Sequence, residues 1–206
     1  MTAAASARRG CHTSTRRAPA YRALGAVAIA LLAAGPAWSE EPLEGWDLLL
    51  RAHVQDGWVD YAAIAAWPQR LDAFLAWVAS TDPGALPTRE EQLAFWINAY
   101  NACAVRRVAD RWPVKSVKRA KDFFSAKGCD VARVPRSLDE MELVARGFGD
   151  WRLHMALARA SFSGPPLRSE AYAAGQLDPQ LAGQTARFLK DPVRGLLVDG
   201  KRQRLS

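Results

Sequence analysis

Cysteine and histidine are scarce in this chain of 206 residues, three of each, and no CxxC pair or Cys/His cluster brings them into metal-ligand spacing. No metal site is expected, and no motif implies a cofactor. Long apolar runs are missing too. The run Ala23 to Ala34 has only about a dozen residues where a bilayer-spanning helix needs roughly 20, so a permanent membrane anchor is not expected. Acidic residues are absent from the first 39 positions, which instead hold Arg8, Arg9, Arg16, Arg17 and Arg22.

That imbalance has a direct reading. A basic stretch, a short apolar stretch and then Gly35-Pro36-Ala37-Trp38-Ser39 describe a secretory signal peptide, with cleavage expected between Ser39 and Glu40 and export to the periplasm. Ala18-Pro19-Ala20 after Arg16-Arg17 favours the general secretory route over a twin-arginine one. Cys11 follows Arg-Gly and not an apolar run, which argues against lipoprotein processing. Removing residues 1–39 takes five of 28 basic residues and none of 21 acidic ones, so the net charge falls from +7 to about +2. The basicity that would suggest nucleic acid mostly belongs to the exported leader, and no nucleic-acid partner is expected. An unidentified ligand or envelope protein is the expected partner. The basic tail Arg194 to Arg204 reads as a solvated segment.

Residues 40–206 suit one domain with a sizeable core. Trp46 to Ala52 has helical spacing and leads to Asp56-Gly57, a turn signal, and a short extended segment. Ala62 to Ser80 reads as helix interrupted near Pro68, and these opening elements look like packing. Thr88 and Glu91 form a capping box for a long helix from about Arg89 to Arg111, stopped at Trp112-Pro113. VKSVKRAKDFFSAK, 114–127, is basic and amphipathic. Val131 to Val134 reads as a short strand, and Ser137 with Glu140 forms a second capping box. Arg152 to Ala158 reads as a strand with His154 opposite Leu153, Met155 and Leu157. Ser169 to Ala173 suggests a short helix, and Asp178 to Lys190 a longer one capped by Asp178 with Pro179 first. Val193 to Val198 suggests a strand that reaches a turn at Asp199-Gly200.

The candidate functional residues cluster in two stretches. In the long helix, Asn98, Tyr100 and Asn101 lie on or beside the apolar side, where an unmet amide costs about 1 to 3 kcal/mol. The asparagines either bond loop backbone or hold a ligand. Cys103 and Cys129 either pair as a disulfide or lie buried and unpaired. His154 is the candidate acid or base, since imidazole titrates near neutral pH. Arg159 and Arg168 could form an anion site, each able to hold a carboxylate with two hydrogen bonds. Cys103, inside an apolar helix, is a poor nucleophile, and Ser161 and Ser163 have no triad spacing beyond His154.

DGWVDYAAI, QLAFWINAYNA, PVKSV with SLDEME, and RLHMAL with PPLRSEAY and LDPQL together resemble the bacterial family called domain of unknown function 547, over about Leu48 to Val198. The resemblance implies an α+β domain, helix-rich with a small, mainly antiparallel sheet, similar to the papain and transglutaminase type of cysteine-hydrolase fold. It also implies a cysteine nucleophile assisted by a histidine. Here the two positions that are cysteine in the pattern IHFALxCxSxxCPPLR are Arg159 and Gly164, and the histidine position after SLDDIE is Leu143. Relatives continue past the final hairpin, so this chain is expected to be short at its C-terminus. Two functions follow as expectations. One is a binding or accessory protein of the periplasm that has lost thiol chemistry, and the other is an envelope hydrolase of peptide or amide bonds that uses His154.

Overall fold

One long helix organises the structure. The computed structural model describes residues 41–114, 116–192 and 194, together with 196–199 and 202–205 by backbone alone. The leader 1–39 lies outside the described residues. Thr88 and Glu91 close the anticipated capping box on α4, Arg89–Ala109, each side chain bonding the other residue's backbone N–H. Ile97, Ala99, Tyr100, Ala102 and Cys103 of α4 are almost wholly buried, so this helix is apolar nearly all round and sits inside the core. Its wall is built by α1, Pro42–His53, by α2, Tyr61–Ala66, and by α3, Gln69–Ser80, the last two separated at Pro68. An aromatic file runs through this wall: Trp46 stacks on Phe74 at 5.4 Å, and Phe74, Trp77, Phe95 and Trp96 follow at 5.4 to 5.7 Å.

The strands are short and local. β1, Val54–Gln55, and β2, Trp58–Val59, form a hairpin across the Asp56-Gly57 turn, where both residues have positive φ. A Cβ at Gly57 would overlap Pro166, so glycine is required by backbone and by space. β3, Cys129–Val131, pairs antiparallel with β4, Val134–Arg136. The single strand expected at Val131 to Val134 is therefore split by a turn at Ala132-Arg133, both left-handed. Their N–H groups bond Val78 O and Ala79 O, carbonyls at the end of α3, and these bonds offset the strain of that turn. β5, Leu196–Asp199, pairs with β6, Arg202–Leu205. The architecture is α+β, with three separate two-stranded antiparallel sheets among the described residues.

Three expectations are corrected in the second half. Ser137 and Glu140 cap α5, Leu138–Arg146, as read. Arg152 to Ala158 is not a strand, however: α6, Leu153–Ala156, is one helical turn, and Leu153, Ala156 and Leu157 are buried at helical spacing while His154 is exposed. The helix begins where Asp150 accepts from Arg152 N. Ser169 to Ala173 is not helical either, because its N–H groups are taken by side chains. Ala171 N donates to Asp47 Oδ1, Tyr172 N to Asn98 Oδ1, and Ala173 N to Gln180 Oε1. Finally, α7 spans Leu177–Leu189 with Gln176 at its cap position, and Asp178 instead accepts from Arg152 at 2.8 Å. The basic run after α4 resolves into a 3-10 turn at Val117–Arg119 and further turns, pinned by the buried Arg107 donating to Phe123 O and Ala126 O. Cys103 and Cys129 are disulfide-bonded across α4 and β3, with Cα atoms 6.1 Å apart.

Candidate functional site

The two asparagines of α4 explain how the loop after α6 is held. Asn101 donates to Ala156 O at 3.0 Å and accepts from Ala158 N at 2.9 Å, so its amide takes the place of a neighbouring strand. Asn98 does the same to one residue further on, donating to Tyr172 O at 2.7 Å and accepting from Tyr172 N at 3.0 Å, with Trp46 Nε1 as a third partner. Of the two readings open for these residues, the geometry supports backbone bonding. Gln184 adds a third tether, donating to Pro166 O at 2.6 Å. The segment 156–172 is thus fixed at three points by buried amides.

This segment separates two clefts. On one side a charged cleft of about 300 Å³ is lined by Asp139, Glu142, Leu143 and Arg146 of α5 and by Arg159. Arg159 bonds Glu142 at 2.8 Å and lies over the Phe124 ring at 4.5 Å. The charges of Arg159, Glu142 and Asp139 also act on Tyr100, which is wholly buried with its hydroxyl unpartnered. Burial is the main reason the Tyr100 phenol is held well above its ordinary range. Tyr100 therefore belongs to the core floor rather than to a ligand-accessible surface.

On the other side lies an aromatic cleft of about 290 Å³. The β1–β2 hairpin contributes Gly57, Trp58 and Val59, and α2 contributes Tyr61. Ala158, Ala160, Ser161, Phe162 and Pro165 to Leu167 also line the cleft, with Trp112 and Arg194. Trp58 is 64 % exposed and Phe162 59 % exposed, yet their rings meet at 5.9 Å. Tyr61 and Trp112 meet at 5.8 Å, and burial pushes the Tyr61 phenol up to about 12, so it remains a neutral donor at ordinary pH. Arg194, only 9 % exposed, places its guanidinium 5.6 Å from the Trp58 ring centre and 5.1 Å from that of Phe162.

The remaining candidates do not converge. His154 is exposed on α6 and lines none of these clefts. Arg168 bonds Glu170 at 3.2 Å and lies over Tyr172, while Arg159 bonds Glu142, so each arginine has its own carboxylate and only Arg159 lines a cleft. Gly164 stands beside Arg159: a Cβ there would lie 4.0 Å from the Arg159 Cβ. No single segment of the sequence marks the aromatic cleft. DGWVDY and PPLR, some hundred residues apart, both belong to the resemblance and meet in it, a convergence that two separate motifs do not reveal before folding.

The model of the family described as a protein of unknown function, DUF547, matches residues 85–189. The chain belongs to the DUF547 family. No curated protein and no solved structure matches it. The DUF547 match covers α4, α5, the tethered loop and α7, while the β1–β2 hairpin, Tyr61 and Arg194 of the aromatic cleft lie outside it. Among the described residues no group of three His, Cys, Asp or Glu could hold a metal ion, and no helix is long and apolar enough to cross a membrane.

Proposed function

We propose that this DUF547 member is a non-catalytic binding protein of the periplasm, with the aromatic cleft as its ligand site. The observation that carries this reading is the Arg159–Glu142 ion pair, because Arg159 stands where the family pattern has a cysteine and a guanidinium cannot be a nucleophile. Supporting observations point the same way. Leu143, at the histidine position, is 69 % exposed and inert. Cys103 and Cys129 are tied to each other, which leaves no free thiol among the described residues and suits an oxidising compartment. Among the described residues, neither Ser161 nor Ser163 bonds a histidine, and His154 lines neither cleft. Two cysteines at positions 159 and 164 would have Cβ atoms at about the separation of a disulfide, so the family pattern fits a structural bridge as well as a nucleophile.

The leader-like first 39 residues support export through the secretory route. The test compares binding with turnover. The wild-type chain is expected to bind the apolar anionic dye 8-anilinonaphthalene-1-sulfonate saturably at about one site per chain, several-fold more weakly in Trp58→Ala. It is expected to hydrolyse none of a panel of peptide, amide and ester substrates. Turnover by the wild type that disappears in His154→Ala would replace this reading with the hydrolase one.

A further inference from the structure

Arg194 presents a physical problem that the binding reading does not by itself resolve. A guanidinium is always charged, and a charge withdrawn from water is costly unless it is paired. Arg194 is nine-tenths buried, yet its guanidinium forms no ion pair with any carboxylate among the described side chains. Its guanidinium lies against the faces of Trp58 and Phe162, which favour a cation but cannot neutralise it. Its backbone is fixed by Asp191, which accepts from Arg194 N at 2.9 Å, and its side chain lies against the Asp56-Gly57 turn. The guanidinium is therefore placed on the wall of a cleft whose other walls are aromatic rings and prolines.

We infer that this cleft binds a small ligand bearing one carboxylate next to an aromatic or other flat apolar group, with the carboxylate on Arg194 and the ring against Trp58 and Phe162. The inference rests on the binding reading above and names the ligand class for that site. The charge count selects a carboxylate: one guanidinium takes one carboxylate with two parallel hydrogen bonds, whereas a phosphate dianion would keep uncompensated charge among apolar walls. Size agrees as well, since about 290 Å³ lies at the small end of ligand pockets. Two sources share this chemistry. A free aromatic acid has it, and so does the last residue of a peptide chain with an apolar side chain.

Matched acids and amides test this on the full chain. Phenylacetate and N-acetyl-L-phenylalanine would be titrated by calorimetry against phenylacetamide and N-acetyl-L-phenylalanine amide, with inorganic phosphate as competitor. Both acids are expected to bind saturably and at least tenfold more tightly than their amides, and phosphate is not expected to displace them. In Arg194→Gln the acids should fall to the level of the amides, while unchanged amide affinity reports that the aromatic walls are intact. If Arg194→Gln fails to fold, the wild-type ratio of acid to amide still decides. Tighter binding of the acetylated amino acid would assign a peptide terminus, tighter binding of phenylacetate a free acid, and either supports the proposal. Equal affinity for acid and amide, or competition by phosphate, would overturn it. Turnover of the hydrolysis panel would instead defeat the binding reading on which it rests.

Discussion

Asn101→Ala is expected to lower the stability of the domain by about 2 to 5 kcal/mol, because it removes two hydrogen bonds and orphans both Ala156 O and Ala158 N in a buried setting. For a domain of this size that corresponds to a fall of roughly 5 to 15 °C in Tm, read by circular dichroism. The change should also carry a functional mark, since the tethered segment forms one wall of the aromatic cleft and carries Arg159 into the other. Asn101→Asp separates the two bonds. A carboxylate can still accept from Ala158 N, but it places a second acceptor against Ala156 O and a charge in the core, so it should be no better tolerated than alanine. A ligand-binding role for Asn101 predicts the opposite pattern: lost affinity with an unchanged Tm.

Reduction of the Cys103–Cys129 bond is expected to cost about 3.5 kcal/mol, on the chain-entropy account for cysteines 26 positions apart. The bond ties the central helix to β3, the strand whose hairpin turn caps the end of α3, so its loss should loosen that corner before the rest. Thermal melts with and without dithiothreitol measure the cost, and Cys103→Ser with Cys129→Ser should reproduce the reduced melt. Thiol counting gives an independent check. The unfolded, unreduced chain of 206 residues should show one free thiol, from Cys11, and three after reduction. Three thiols before reduction and an unaltered melt would remove the bond from the account.

What was legible in the sequence follows the range of the interactions involved. Thr88 with Glu91 and Ser137 with Glu140 are complete within four residues, and both capping boxes form as read. Asp56-Gly57 makes its hairpin for the same reason. Arg152 to Ala158 is ambiguous in sequence because Leu153, Met155 and Leu157 also satisfy a two-residue period, and the choice between periods is made by Asn101, more than fifty residues away. Ser169 to Ala173 departs from helix for the same reason, the N–H groups of Ala171, Tyr172 and Ala173 being claimed by Asp47, Asn98 and Gln180 from three different helices.

The candidate site divides along the same line. The special character of Asn98 and Asn101 was visible as polar side chains on a buried helix, and the structure makes them positioning residues for the loop. Trp58, Phe162 and Arg194 carry no such mark, because nothing in the segment around each one sets it apart from a solvated residue, although Arg194 proves to be buried. Only the packing of the β1–β2 hairpin on Pro166 brings them to one cleft. The disulfide stood open between two readings, since sequence spacing does not give the 6.1 Å between its Cα atoms.

The central claim is that this DUF547 scaffold has exchanged thiol chemistry for binding, and restoring the missing residues tests it most directly. Arg159→Cys combined with Leu143→His would be compared with the wild type using a thiol-reactive electrophile and the hydrolysis panel, both proteins keeping the Cys103–Cys129 bond. The account predicts an unreactive wild type, and a thiol of raised reactivity at position 159 only in the double variant. Hydrolysis by the wild type would contradict it, because a working nucleophile would then exist in a chain that has none at position 159.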